Sequence, residues 1–177
     1  MMDTMEKTKI TPEEYKRLKA EVIDKIVVAR VGLLLRHPFF GNMATRLQIK
    51  ECDEWCPTAA TDGRNLFYNV DFFSKLSNKE IEFVIAHEIL HCVFDHMTRR
   101  EDRDPQLHNI ACDYIVNNTL CRDNIGEKPK DIQIFQDWKY DGWTSEAVYD
   151  DIYKKGKEKM EQLGKLLDEH IDWEKGN

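Results

Sequence analysis

His87, Glu88 and His91 fall in the run His87-Glu88-Ile89-Leu90-His91, an H-E-x-x-H. Two histidines four apart project from one face of an α-helix, so both imidazoles can reach one metal ion at ~2.0–2.1 Å. Glu88 points to the side, where it can take a proton without being a ligand. Zinc lowers the pKa of a coordinated water from about 16 to about 7, and the glutamate accepts its proton as the hydroxide attacks a polarised carbonyl. In 177 residues with six His and sixteen Glu, chance produces this motif about 0.02 times. The motif sits between Phe83-Val84-Ile85-Ala86 and Cys92-Val93-Phe94, where two His and a Glu are costly to bury unless paired or metal-bound.

Two histidines do not close a site, and four residues compete for the third position. His96 lies about 140° around the helix from His91, so it can join only if the helix breaks before it. Asp95 drifts onto the metal face, but three ligands from one straight helix strain a tetrahedral site. His108 precedes the next helix. Asp113 is the strongest candidate, an acid in the apolar stretch Ala111-Cys112-Asp113-Tyr114-Ile115-Val116-Asn117. Its helix is expected to pack antiparallel to the first after a short turn. A surface carboxylate, or a salt bridge to Arg99 or Arg100, is the alternative reading. Asn117 and Asn109 share its helical face and are candidates to support the ligands.

Other residues read as scaffold. Arg99 and Arg100 suit a solvated helix end that complements the dipole. Tyr114 and Tyr140 suit a core better than an oxyanion site, and Cys92 and Cys112 suit packing. Trp138, Tyr140 and Trp143 either dock an irregular segment or line a cleft.

These residues need elements to position them. Thr11-Pro12-Glu13-Glu14 opens a helix with a capping box and proline at its first position. Tyr15, Leu18, Val22, Ile26, Ala29 and Leu33 continue it at steps of three and four, up to His37-Pro38. Short runs at Leu47–Ile49, Thr58–Thr61 and Leu66–Val70 read as three antiparallel strands, with Asp62-Gly63 as a tight type I′ turn. Ser77 and Glu80 form a second capping box and start the motif helix, expected to run towards Arg99–Arg100. Pro105 opens the ligand helix to about Leu120, residues 121–144 are irregular, and Ser145 caps a last helix. Residues 1–10 read as a flexible leader, 11–153 as the domain, and 154–177 as a charged helix or linker.

The length fits one domain. The net charge of −7 is accounted for by residues 101–151, which hold twelve Asp/Glu against five Lys/Arg. That acidic surface disfavours nucleic acid and anionic lipid. The apolar stretch Ile26–Leu35 contains Arg30 and is too short to span a bilayer. Five cysteines at irregular spacing and no secretory leader predict reduced thiols and a cytoplasmic protein.

Four ordered motifs resemble a family of bacterial and phage metallopeptidase domains usually found before a von Willebrand factor A-like domain. They are Pro57-Thr58-Ala59-Ala60-Thr61-Asp62-Gly63, then Phe67-Tyr68-Asn69, the H-E-x-x-H running on to His96, and Ala111-x-Asp113-Tyr114-x-x-Asn117. The segment from Asp141-Gly142 to Val148-Tyr149 resembles the C-terminal part of the same domains. The resemblance implies a zincin-like fold, with His87 and His91 as ligands, Glu88 as base and Asp113 as third ligand. Family members also tend to carry a histidine at the His96 position. The chain ends at Asn177, so a stand-alone version is expected, with any ATPase or von Willebrand factor A-like partner supplied in trans.

The sequence therefore predicts an α+β zincin-like domain: a long first helix, a small antiparallel sheet, the H-E-x-x-H helix, a second ligand helix and a C-terminal helix. The expected function is zinc (Zn2+)-dependent hydrolysis of a peptide or protein, extended along the Thr58–Thr61 or Arg46–Lys50 strand edge. A zinc-stabilised binding module without turnover and a non-peptidase amide hydrolase are the competing expectations. Glu88 argues against the binding module, because a structural zinc site has no use for a general base.

Overall fold

A computed structural model of the protein describes residues 10–156. The expected leader, except Ile10, and the charged tail beyond Gly156 lie outside the described residues. The fold is α+β, with six α-helices and one three-stranded sheet among the described residues.

Helix α1 spans Pro12–Arg36 and begins with the expected capping box, Thr11 and Glu14 each bonding the other's backbone. It buries Val22, Ile26, Ala29 and Leu33. Pro38 does not merely stop it. Pro38 is the first residue of helix α2, Pro38–Arg46, because its missing N–H costs nothing there.

The sheet corrects the expected antiparallel arrangement. Strands β1 (Gln48–Glu51), β2 (Ala59–Thr61) and β3 (Asn65–Tyr68) lie in the order β1-β3-β2. β2 and β3 form the antiparallel hairpin, with Ala59 opposite Tyr68 and Thr61 opposite Leu66. β1 instead pairs parallel to β3, Gln48 opposite Asn65. Residues 52–58 carry the chain past β3 before it turns back, so β3 becomes the middle strand. The hairpin is not a type I′ turn either. Only Gly63 has positive φ (+89°), while the Asp62 carboxylate accepts from the Arg64 and Asn65 backbone N–H groups and holds the loop.

A short helix α3, Val70–Ser74, succeeds β3 with Asn69 as N-cap. Helix α4, Asn78–Val93, starts at the expected Ser77–Glu80 capping box. Every residue from Glu80 to His91 in it is buried, because α1, α2, β2 and α5 (Pro105–Arg122) all pack against it. Helix α6, Ser145–Lys154, is capped by Thr144 and packs on α5. The principal core joins α1, the sheet and α4 through residues such as Ile26, Leu33, Leu66, Phe73, Ile81 and Ile85, and reaches α5 at Val116 and Leu120. A second cluster joins α5 to α6 through Leu107, Ile110 and Val148.

The irregular stretch after α5 is tied down at both ends. Gly126 has φ +63°, and a Cβ there would lie 2.6 Å from both Lys79 O and Phe83 N of α4. Glu127 N–H donates to Lys79 O (3.1 Å) and Lys130 N–H to Glu80 Oε2 (2.9 Å). Asn118 Nδ2 donates to Asp137 O (2.7 Å) at the far end. Residues 125–137 thus form a strap across α4 and α5. Gly126→Ala meets backbone rather than a yielding side chain, in a conformation that side chains disfavour. It should lower the unfolding free energy in urea by about 1–3 kcal/mol; an unchanged midpoint and slope would show that the strap is not held where described.

Candidate metal centre

α4 and α5 bring His87, His91 and Asp113 together. His91 Nε2 lies 3.0 Å from His87 Nε2 and 3.0 Å from Asp113 Oδ1, and His87 Nε2 is 3.3 Å from the same oxygen. Tetrahedral bonds of ~2.0–2.1 Å place neighbouring donor atoms ~3.3 Å apart, so this triangle has the size a zinc-like cation needs. All three side chains are buried, and among the described residues they are the group of this kind that could hold a metal ion. Asp113 is thus brought to the two histidines.

The donor set is oriented from behind. Asn117 Nδ2 donates to the Phe135 carbonyl (2.8 Å), which fixes the amide so that its Oδ1 faces His87 Nδ1 at 2.8 Å. An oxygen can only accept, so His87 carries its proton on Nδ1 and turns a lone pair on Nε2 towards the cluster. Asn117 takes the supporting position expected for it. Asn109 is half-buried and takes no part in these bonds.

His91 is oriented by a helix ending that the sequence does not announce. α4 stops at Val93 instead of running towards Arg99–Arg100. Asp95 N–H bonds Cys92 O (3.1 Å) and His96 N–H bonds His91 O (3.1 Å), with Asp95 at φ +55°. This is a Schellman ending with aspartate where glycine is usual. Its customary contact between the residue after the turn and the last helical turn falls on His96 and His91, whose Nδ1 atoms are 3.0 Å apart. His96 is therefore not a ligand here. It meets the ring nitrogen of His91 that faces away from the cluster, and a proton donated by His91 Nδ1 leaves His91 Nε2 open for a cation.

His108 also lies outside the ligand set. Its Nε2 donates to His96 O at 2.6 Å, holding the backbone of the turned segment. Burial pushes His96 down to about 2, with His91 adding to the effect, and burial lowers His108 as well. Arg99 does reach a helix-terminal carbonyl, Phe94 O (3.2 Å), as the dipole reading implied. It is not simply solvated, because Nε and Nη2 also grip Glu146 of α6 at 2.8 and 2.6 Å. Burial alone would raise the Glu146 carboxyl, but the Arg99 bonds outweigh it and hold it below its ordinary value.

Glu88 is buried beside the cluster and lines one pocket with His87, Asp113 and Asn117. That pocket also takes in Thr58 and Ala59 at the β2 end of the sheet. Tyr114 and Tyr140 do not line it. They pack ring to ring, centroids 4.9 Å apart, and Tyr140 Oη donates to Asp151 (2.6 Å). Trp138 and Trp143 are exposed and stay outside the pocket, with Trp143 edge-on to Tyr140, so they do not line this cleft. No disulfide joins the five cysteines. Burial raises Cys92 to about 11, which removes it as a thiolate nucleophile.

A family model described as "Putative metallopeptidase domain" matches residues 23–175. No curated protein and no solved structure matches the chain. No helix among the described residues is long and apolar enough to cross a membrane.

Asn117→Ala and His96→Ala should each weaken metal binding about 10–100-fold in a chelator competition with zinc as the probe ion, without changing the number of ions held at saturation; unchanged affinity in both would contradict the orienting roles. Below pH ~6.5 the unfolded chain protonates His108 while the folded chain resists, so this group's contribution to stability is lost as pH falls. Urea denaturation at pH 7.5 and 5.5 should show a smaller loss for His108→Gln than for the unaltered protein, and equal losses would refute the assignment.

Proposed function

The chain belongs to the "Putative metallopeptidase domain" family, and from that premise we propose that it is a zinc-dependent hydrolase cleaving peptide bonds. The observation that carries the reading is the convergence of His87 Nε2, His91 Nε2 and Asp113 Oδ1 on one point, with Glu88 on the same pocket wall. Two neutral imidazoles and one carboxylate suit zinc, and three protein ligands are the number found at catalytic rather than structural zinc sites. A bound zinc ion supplies Lewis acidity, polarising a carbonyl and making water acidic near neutral pH.

The chain's own residues do the rest. Glu88 accepts the proton of the attacking water and returns it to the leaving amine, two transfers that one carboxylate can serve in turn. Its burial beside the ligands keeps bulk water from competing for that proton. Asn117 and His96 hold the two imidazoles against rotation, so binding does not have to order them first. Thr58 and Ala59 line the same pocket as Glu88 and the ligands, so the substrate carbonyl would reach the site beside the start of β2.

The test uses the zinc-loaded chain and a mixed-sequence peptide library read by mass spectrometry. Internal cleavage is expected, reduced at least ~100-fold by Glu88→Gln with zinc content unchanged. No cleavage by the zinc-loaded protein would favour the binding module, and equal cleavage by the variant would remove Glu88 from the chemistry.

A further inference from the structure

Pro57-Thr58 and Phe67-Tyr68-Asn69 belong to two of the ordered sequence motifs, yet neither supplies a ligand or the base. The two segments meet at the pocket. Asn69 follows the last residue of β3, and its N–H donates to Thr58 O (2.9 Å). Asn69 Nδ2 donates to Cys56 O (3.0 Å), and its Oδ1 accepts from Phe72 N–H (2.9 Å) at the start of α3. One residue therefore clamps the chain on both sides of Pro57, whose ring fixes its own φ. Thr58 comes next and lines the pocket with His87, Glu88, Asp113 and Asn117.

We propose that the Thr58 hydroxyl is the donor that stabilises the substrate's carbonyl oxygen as that oxygen gains charge. The inference rests on the metallopeptidase reading above and adds the oxyanion group which that reading lacks. As the water oxygen bonds to the carbonyl carbon, the C=O π electrons move onto the carbonyl oxygen. Thr58 keeps its own proton and donates it in a hydrogen bond that strengthens as this charge develops.

Three observations support the assignment. The first is how the polar groups of the lining are committed. Glu88 and Asp113 carry carboxylates, the base and a ligand. His87 gives its Nδ1 proton to Asn117, and the Asn117 amide is held behind that ring by the Phe135 carbonyl. The Thr58 hydroxyl bonds no other group among the described residues, so its proton is available to a ligand.

The second is rigidity. The Thr58 carbonyl is already taken by Asn69, and the clamp around Pro57 sets the residue in place before any substrate arrives. A donor that needs no reordering gives its full effect to the developing charge. The third is size. The pocket holds about 40 Å³, room for a carbonyl group and a water. An entering carbonyl is thus confined near the polar lining. The remaining lining is apolar, Phe72, Val84 and Ile134 among it, which strengthens a hydrogen bond made there.

The experiment measures zinc-dependent binding of two peptides of one sequence to the zinc-loaded chain. One carries a phosphinate in place of the scissile amide, with oxygens where the tetrahedral carbon would bear them. The other carries a thiol, which can reach the metal but offers no such oxygen. Thr58→Val keeps the branched shape and removes the donor. It should weaken phosphinate binding ~10–100-fold, with thiol binding and zinc affinity unchanged, and Thr58→Ser should restore most of the loss. Unchanged phosphinate binding in Thr58→Val would overturn the assignment. Equal loss of both peptides, or no rescue by serine, would also overturn it, because shape rather than the hydroxyl would then matter. No zinc-dependent binding of either peptide by the unaltered protein would overturn the metallopeptidase reading and the role of Thr58 with it.

Discussion

A helix buried along twelve consecutive residues, Glu80 to His91, carries two histidines and three glutamates, groups that are costly to bury unless they find counterparts. The cost of an unmatched polar group in such a place is roughly 1–3 kcal/mol, and more for a charge. Much of the surrounding structure meets that requirement. Glu80 closes the capping box and accepts Lys130 N–H. Glu82 meets Arg36 of α1, with Lys79 Nζ 3.7 Å away. His87 has Asn117, and His91 has His96 and Asp113. These partners come from α1, α5, the strap and the turn after α4, so burial of α4 dictates where those elements lie.

The same requirement sets the chemistry. An imidazole that donates through Nδ1 to an oxygen presents a lone pair at Nε2, and the Asn117 amide enforces this because the Phe135 carbonyl fixes which end is oxygen. On the other histidine the device is a backbone one. The Schellman ending reverses the chain so that His96 packs on His91, the contact usually made by two hydrophobic residues. Two unlike local structures thereby aim two nitrogens at one carboxylate oxygen. A donor triangle of this size, built entirely from buried groups, is matched to a single cation.

Much of this was legible in the sequence where the signal is local. Both capping boxes, the H-E-x-x-H and the acid of Asp113 in an apolar helix announce themselves through spacing and type, and Asn117 is placed by helical geometry. What was not legible depends on partners distant in sequence or on an unusual residue. The Asp95 turn lacks the glycine that marks such endings, so the motif helix looked longer and His96 looked misplaced. β1 reads as a strand, but nothing local distinguishes parallel from antiparallel pairing with β3. Pro38 is read as a stop more readily than as a start, although proline at a first helical position signals both. The strap has no periodicity, and its place is set by Gly126 and by side chains of α4 and α5 that the sequence does not link to it.

The central claim is that His87, His91 and Asp113 hold one zinc ion. It is tested most directly by elemental analysis and zinc-edge X-ray absorption on protein purified without added metal. The expected result is close to one zinc per chain, with two imidazole nitrogens among its ligands, and loss of that zinc in Asp113→Ala with the fold retained. Absence of zinc after reconstitution, or full zinc content in Asp113→Ala, would contradict the account.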